Sequence, residues 1–395
     1  MTELTQSAEE VRVIGAGLSG LATAWYLAEG GARVHVIEAA GSAGGLIHTL
    51  RTPEGLVETA APAFTSSDRV LALFSAAGVE ACGPNPAATK RYIFRGGRPR
   101  RWPLSPVETS ATLLRFGTAW ISRRHRPRGE ESLGEWGRRV IGPFALEWLL
   151  APAAQIYAAS PDALSAAAIL GGRRRGGTRI SPRRGMQELV DRLVERLGGR
   201  GVRFSFNQRV TALDPSVPTA ICTEAPAAAR LLLSHAPRLA AALGRIRMVS
   251  LVTVTAFFQP SANDLRGGGV LFPRSSKVGA LGVLFNTDIF PERSHLRSET
   301  WIYSGDDEDL RPRLEADRAV LTGRAERPLA VYITPRPNVL PLYDDAVRRV
   351  ASAVEELPPT LAVAGNYLGS LGVSRLVDGG AAAAARLLRV HGVRS

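Results

Sequence analysis

Residues 11–45 read VRVIGAGLSGLATAWYLAEGGARVHVIEAAGSAGG, and this stretch decides the fold. VRVI is a short apolar run that predicts a strand. Gly15, Gly17 and Gly20 follow in G-x-G-x-x-G spacing, with Ala16, Leu18 and Ser19 between them. LSGLATAWYLAE then has helical spacing, and Gly30-Gly31 supplies the glycine that ends a helix. RVHVIEA predicts a second strand closing on an acid, Glu38, with Ala39 after it. Strand, glycine turn, helix, strand and acid in this order are the context in which the glycine triplet signals a dinucleotide site. Gly15 permits the tight turn, Gly17 lets backbone approach a pyrophosphate, and Gly20 lets the helix pack on the strand. The helix N-terminus adds a favourable partial charge. Glu38 lies 18 residues after Gly20, where its carboxylate can accept from a ribose diol and would repel a phosphorylated ribose. Gly44-Gly45, followed by Leu46, then brings a second piece of bare backbone to the same pyrophosphate.

The chain has 395 residues, 45% hydrophobic and 22% charged, enough for two or three globular domains. Cys82 and Cys222 lie far apart, and the histidines never fall at H-x-x-x-H spacing. Neither a disulfide framework nor a metal site is expected. The segment MTELTQSAEE is polar and acidic, unlike a secretory signal, and no apolar run approaches the ~18 residues of a spanning helix. The expected location is cytoplasmic. The net charge of +13 is concentrated: residues 90–184 hold 19 Lys+Arg and 6 Asp+Glu, and the remainder holds 30 of each sign. That segment also carries Trp102, Trp120, Trp136 and Trp148. Positive charge interleaved with indole predicts a peripheral contact with an anionic membrane surface. Nucleic acid is not expected, because no nucleic-acid motif accompanies the arginines.

Further along, KRYIFRGGRPRRWP predicts a hairpin turning at Gly96-Gly97. Residues 103–165 read as helical. VETSATLLRFGTAWI gathers Leu113, Leu114, Phe116, Trp120 and Ile121 toward one side, and SLGEW is a capping box on Ser132 and Glu135. Gly142-Pro143 predicts a break. GGRRRGGTRISPRRG reads as a connector, and MQELVDRLVERLGG as an amphipathic helix. VRFSFNQRVTAL and TAICTEA predict strands, and PAAARLLLSHAPRLAAAL a helical stretch. Residues 248–332 predict an antiparallel sheet. YDDAVRRVASAVEEL reads as a helix, and LAVAGNYLGSLGVSRLVDGGAAAAARLL as strand, glycine-rich turn and helix.

The G-x-G-x-x-G…E…GG pattern resembles the FAD-binding flavoprotein superfamily of amine oxidases, phytoene desaturases and protoporphyrinogen oxidases. AGNYLGSLGVSRLVDGGAAAA resembles that superfamily's closing segment. The resemblance places Gly365, Asn366, Leu371, Gly372 and Val373 at the flavin, and Val210, in RVTAL, near the adenine. SLGEWGRRVIGPFALEWLLAPAAQIYAASPDALS resembles a segment of the FAD-type protoporphyrinogen/coproporphyrinogen oxidase family, with Gln155 replacing its usual glycine. GVLFPRSS…ALGVLFNTDIFPERS is similar to that family's substrate-side sheet, and PLYDD to its Pro-x-Tyr. The family's propionate-binding arginine falls on Arg91 in KRYIF. A porphyrinogen substrate implies a wide apolar cavity with a few cations for carboxylates.

The implied fold class is α/β, in three parts. Residues 1–85, 185–235 and 350–395 form a discontinuous FAD-binding Rossmann-like (two-dinucleotide-binding) domain. Residues 86–102 and 236–349 form an antiparallel-sheet substrate domain. Residues 103–184 form a basic helical, membrane-associating subdomain. The implied activity is oxidation of a porphyrinogen by hydride transfer to flavin, in haem biosynthesis, with oxygen as acceptor. No catalytic side chain is expected, since the cofactor carries the chemistry. A homodimer is left open. The chain departs from the family at Leu46, at His48, in ETAAPAF, and in two shortened segments. A related flavin amine oxidase or desaturase, or an FAD-binding homologue without turnover, are the alternatives.

Overall fold

The opening stretch forms the strand Glu10–Ile14, the helix Leu18–Glu29 and the strand Arg33–Ile37, which pairs parallel to the first. In this computed structural model the described residues are 10–171, 176–305, 307, 309–369 and 371–390. The acidic N-terminal segment, part of the arginine-rich connector, Ser370 of the closing turn and the last residues lie outside the described residues.

A five-stranded sheet is built on that unit, in the order Arg203–Ser205, Arg33–Ile37, Glu10–Ile14, Thr219–Ile221, Leu361–Val363. Every pairing in it is parallel, so both faces need cover. On one face Val11 and Val13 pack with residues of the helices Leu18–Glu29, Met186–Gly199 and Val373–Val390. On the other, Ile14 and Ile221 pack with the helices Ala225–Leu232, Pro237–Gly244 and Asp345–Ala353. The helical stretch expected at residues 226–243 is two helices, separated by residues 233–236 ahead of Pro237, which opens the second. VRFSFNQRVTAL is strand only over Arg203–Ser205. Asn207 turns the chain at φ +57°, and its N–H donates to Ala40 O at 2.9 Å instead of continuing a ladder.

A second sheet has seven strands, ordered Ala330–Pro341, Met248–Phe258, Arg297–Ser304, Gly282–Phe285, Gly269–Leu271, Arg91–Arg95, Arg98–Arg100. The expectation of an antiparallel sheet is corrected at one pairing, since Gly269–Leu271 runs parallel to Arg91–Arg95. The hairpin comes from far upstream in the chain, so it joins by crossover and is free of the direction a hairpin turn imposes. The sheet is also interrupted by a helix, Arg311–Thr322, which the strand-rich reading missed. Its buried face carries Asp317 and Arg318 beside Leu314 and Leu321, so apolar periodicity is hidden. Asp317 accepts from Gly279 N at 2.9 Å and Ala280 N at 3.0 Å, and Arg318 pairs with Glu299 at 3.2 Å.

The basic segment is helical. Pro106–Ile121 starts at a capping box of Ser105 and Glu108, and Leu133–Val140 at one of Ser132 and Glu135. Gly142, at φ +85°, breaks the second helix as expected. Arg95 anchors the first to the hairpin, donating to both carboxylate oxygens of Glu108 at 2.7 Å.

Candidate cofactor and substrate site

The glycine turn shows which of its residues are needed by the protein itself. Gly15 sits at φ +101°, and a Cβ there would lie 2.7 Å from Cys222 O. A Cβ at Gly20 would lie 1.8 Å from Gly15 O, so this glycine is what lets helix and strand close. A Cβ at Gly17 would meet no protein atom within 4 Å, and its backbone (φ −68°, ψ 177°) suits any residue. Nothing in the fold requires Gly17. The open space above it at a helix N-terminus is the cradle a diphosphate needs.

The second glycine pair closes on the first. Gly44 N donates to Ala16 O at 2.9 Å, and Gly17 and Gly44 form a parallel bridge. Gly45, at φ +61°, crosses so near that a Cβ would lie 3.2 Å from Gly17 Cα. Sequence reasoning assigned this pair to the pyrophosphate alone, and the structure adds a packing reason for its bareness. Leu46 follows on the surface, 41% exposed. Glu38 accepts from Ala16 N at 2.6 Å and Ala40 N at 2.8 Å. A carboxylate offers about four lone-pair positions, so two remain for ribose hydroxyls. Ala39 lies between these partners. Gln208 N donates to Glu38 O at 2.9 Å, which holds the loop carrying half-buried Val210 beside this acid.

The closing segment follows the strand Leu361–Val363 of the same sheet. A Cβ at Gly365 would lie 2.4 Å from the Tyr367 ring. Asn366 accepts from the Tyr343 hydroxyl at 2.7 Å through its carbonyl and donates from Nδ2 to Val339 O at 3.2 Å. Leu371 packs on the core that holds Ile14 and Ile221, and Gly372, at φ +136°, leads into Val373 and the last helix. Ser374 clamps that N-terminus to the strand Phe64–Thr65, donating to Thr65 O at 2.7 Å and accepting from Thr65 N at 2.8 Å.

Two smaller sheets, Thr49–Thr52 with Gly55–Glu58 and Arg179–Pro182 with Phe64–Thr65 and Ala81–Cys82, carry features that sequence reasoning missed. Glu58 accepts from Thr49 Oγ1 at 2.8 Å and Met186 N at 2.9 Å, and pairs with Arg293 at 3.2 Å. Both members are buried. Burial pushes the Glu58 carboxyl above its ordinary value, opposed by the Arg293 guanidinium. Among the described residues Arg293 Nε has no hydrogen-bond partner, and the pair lines a cleft with Leu56, Ala60, Asn286 and Phe290. Arg91, exposed, opens its strand opposite Gly269. Arg179 opens the strand Arg179–Pro182 opposite Thr65, in a segment read only as a connector. Burial, then the nearby Arg91 guanidinium, lowers the Arg179 pKa. Among the described residues neither arginine has a carboxylate partner. No run pattern marks Arg179, because only the tertiary fold brings it to Arg91.

Residues 18–322 match the family described as Flavin containing amine oxidoreductase. The chain belongs to that family. As a flavin-containing amine oxidoreductase it uses FAD, and the turn, acid and closing segment above fit that group. It is 27% identical to Protoporphyrinogen oxidase 2, chloroplastic/mitochondrial, of Arabidopsis thaliana, over 96% of this chain and 93% of that one. It is 24% identical to Protoporphyrinogen oxidase of Homo sapiens, over 72% and 74%. Among solved structures, an Exiguobacterium sp. 255-15 protein carrying the provisional name protoporphyrinogen oxidase has TM-score 0.81 at 19% identity, over 97% and 99%. Cyclohexylamine oxidase of Brevibacterium oxydans has TM-score 0.75 at 18%, over 97% and 99%. At these identities the two structures show a shared fold.

Proposed function

We propose that this oxidoreductase oxidises a porphyrinogen, protoporphyrinogen IX or coproporphyrinogen III, to the porphyrin, serving haem biosynthesis with oxygen as final acceptor. Bound FAD supplies the hydride acceptor. The chain's residues orient the macrocycle and exclude water. Gly15, Gly17, Gly44, Gly45 and Glu38 hold the nucleotide end, and Gly365, Asn366 and Gly372 the flavin end. The observation that carries the reading is the pair Arg91 and Arg179, two guanidinium groups near one another and, among the described residues, without a carboxylate partner, the first on the second sheet and the second on the strand that pairs with Phe64–Thr65. Carboxylates on a substrate are the natural partners of such a pair. The names borne by its relatives support the same substrate class.

The reading extends to where the substrate comes from. The helix Pro106–Ile121 buries only Ala119, while Val107, Leu114 and Ile121 are 78%, 70% and 85% exposed. Trp102 and Trp120 are also exposed, and Arg123, Arg124 and Arg126 follow Trp120 closely in the chain and are exposed. Such a patch, larger than scattered surface apolar residues explain, suits an anionic bilayer surface. No helix among the described residues is long and apolar enough to cross a membrane. The test is turnover of freshly reduced protoporphyrinogen IX and coproporphyrinogen III, followed by porphyrin fluorescence. A rate above autoxidation that scales with flavin-loaded protein is expected. Bound FAD with neither substrate turned over would refute the reading and leave an oxidase of another apolar substrate.

A further inference from the structure

Arg336 sits where two cofactor segments are tied together. The strand Ala330–Pro341 forms an edge of the second sheet. At Val339 its carbonyl accepts from Asn366 of the closing segment. At Arg336 its side chain reaches the other segment. Nε donates to Thr59 O at 3.3 Å and Nη2 to Leu46 O at 3.5 Å. Leu46 follows the second glycine pair, and Thr59 precedes Ala60 and Ala61 in ETAAPAF. The strand is reshaped here. Pro335 and Pro337 flank Arg336, Asn338 adopts φ +50°, and the register against Met248–Phe258 slips between Val249 and Leu251. Irregularities of this kind re-aim side chains beside sites.

The guanidinium is poorly served by the protein. Both bonds are long and go to neutral carbonyls, although the group has five N–H donors. The residue is half-buried, and among the described residues no carboxylate pairs with it. Burial lowers its pKa, with no acid opposing that shift. A cation held partly out of water needs a partner. We propose that Arg336 is the counter-charge for the bound flavin nucleotide, placed to neutralise negative charge on its diphosphate or on its ring once reduced. The inference rests on FAD binding and not on the porphyrinogen reading, and its test uses no porphyrinogen.

The experiment compares Arg336→Gln and Arg336→Lys. Gln keeps an amide donor for one carbonyl without charge, and Lys keeps the charge. FAD affinity is measured by titrating apoprotein and following flavin fluorescence. The two-electron midpoint potential is measured by equilibration with redox dyes. If the charge acts on the diphosphate, Arg336→Gln loses about tenfold in FAD affinity. If it acts on the reduced ring, affinity holds and the potential falls by ~30 mV, tenfold for a two-electron couple. Arg336→Lys stays near wild type in either case. Arg336→Gln matching wild type in both measurements overturns the proposal, as does equal loss in both variants. Failure of Arg336→Gln apoprotein to fold also overturns it, since the arginine would then be a tether between strand and loops.

Discussion

Gly17→Ala separates what the cofactor needs from what the fold needs. The added methyl meets no protein atom within 4 Å, and the backbone there is ordinary for alanine. The cost to the apoprotein is confined to a weaker N-cap, about 0.5–1 kcal/mol, and a melting shift under about 4 °C. With FAD the same methyl stands where the diphosphate approaches. Displacing the phosphate from one charge-assisted hydrogen bond costs about 1.5–3 kcal/mol, or roughly 10- to 150-fold in affinity. The assay pairs calorimetric melting of apoprotein with FAD titration by fluorescence quenching. Gly20→Ala is the contrast, because its methyl would overlap Gly15 O and the apoprotein itself should not fold. Equal FAD affinity in wild type and Gly17→Ala would refute the placement of the diphosphate over this turn.

Arg91→Ala should raise KM for a porphyrinogen with free carboxylates while sparing FAD content and an uncharged ester substrate; equal loss on both substrates would make Arg91 structural. Arg293→Met leaves Glu58 buried without its cation and should destabilise by about 3–5 kcal/mol. Glu58 already has a raised folded pKa, raised further in the variant, so its ionisation costs more as pH rises. The melting deficit should therefore shrink as pH is lowered from 8 toward 5, and a deficit independent of pH would contradict this. Charge reversal at Arg123, Arg124 and Arg126 should weaken co-sedimentation with anionic vesicles at low salt without loss of flavin, and no binding by the wild type would remove the membrane assignment.

Local rules carried much of the fold. The glycine turn, the capping box on Ser132, the break at Gly142 and the final helix each depend on residues within one or two turns of each other. The failures share a different cause. Arg311–Thr322 was hidden because its buried side includes Asp317 and Arg318, whose partners Gly279, Ala280 and Glu299 come from other elements. Residues 206–212 looked like strand but are held as a loop on Ala40 and Glu38, a restraint from far upstream. The site divides likewise. The glycine turn is written in spacing, whereas Arg179, Arg336 and the Glu58–Arg293 pair acquire their meaning only from neighbours distant in the chain.

The contact between the first helix and the last has a consequence for how the chain is made. Gly380 lets the two backbones approach until a Cβ would lie 2.8 Å from Ala22 Cβ, and Leu388 covers Gly30. The strand Leu361–Val363 completes the parallel sheet from the same end of the chain. A ribosome adding ~5–20 residues per second needs about 20–70 s to go from the first helix to the last. During that interval Leu18–Glu29 has emerged with its partner helix still unsynthesised, and the cofactor cradle has no closing turn. The face of that helix and the sheet's last strand are therefore completed only at the end of synthesis. Truncation upstream of residue 373 should leave the Leu18–Glu29 face uncovered, the kind of exposed apolar surface that favours aggregation.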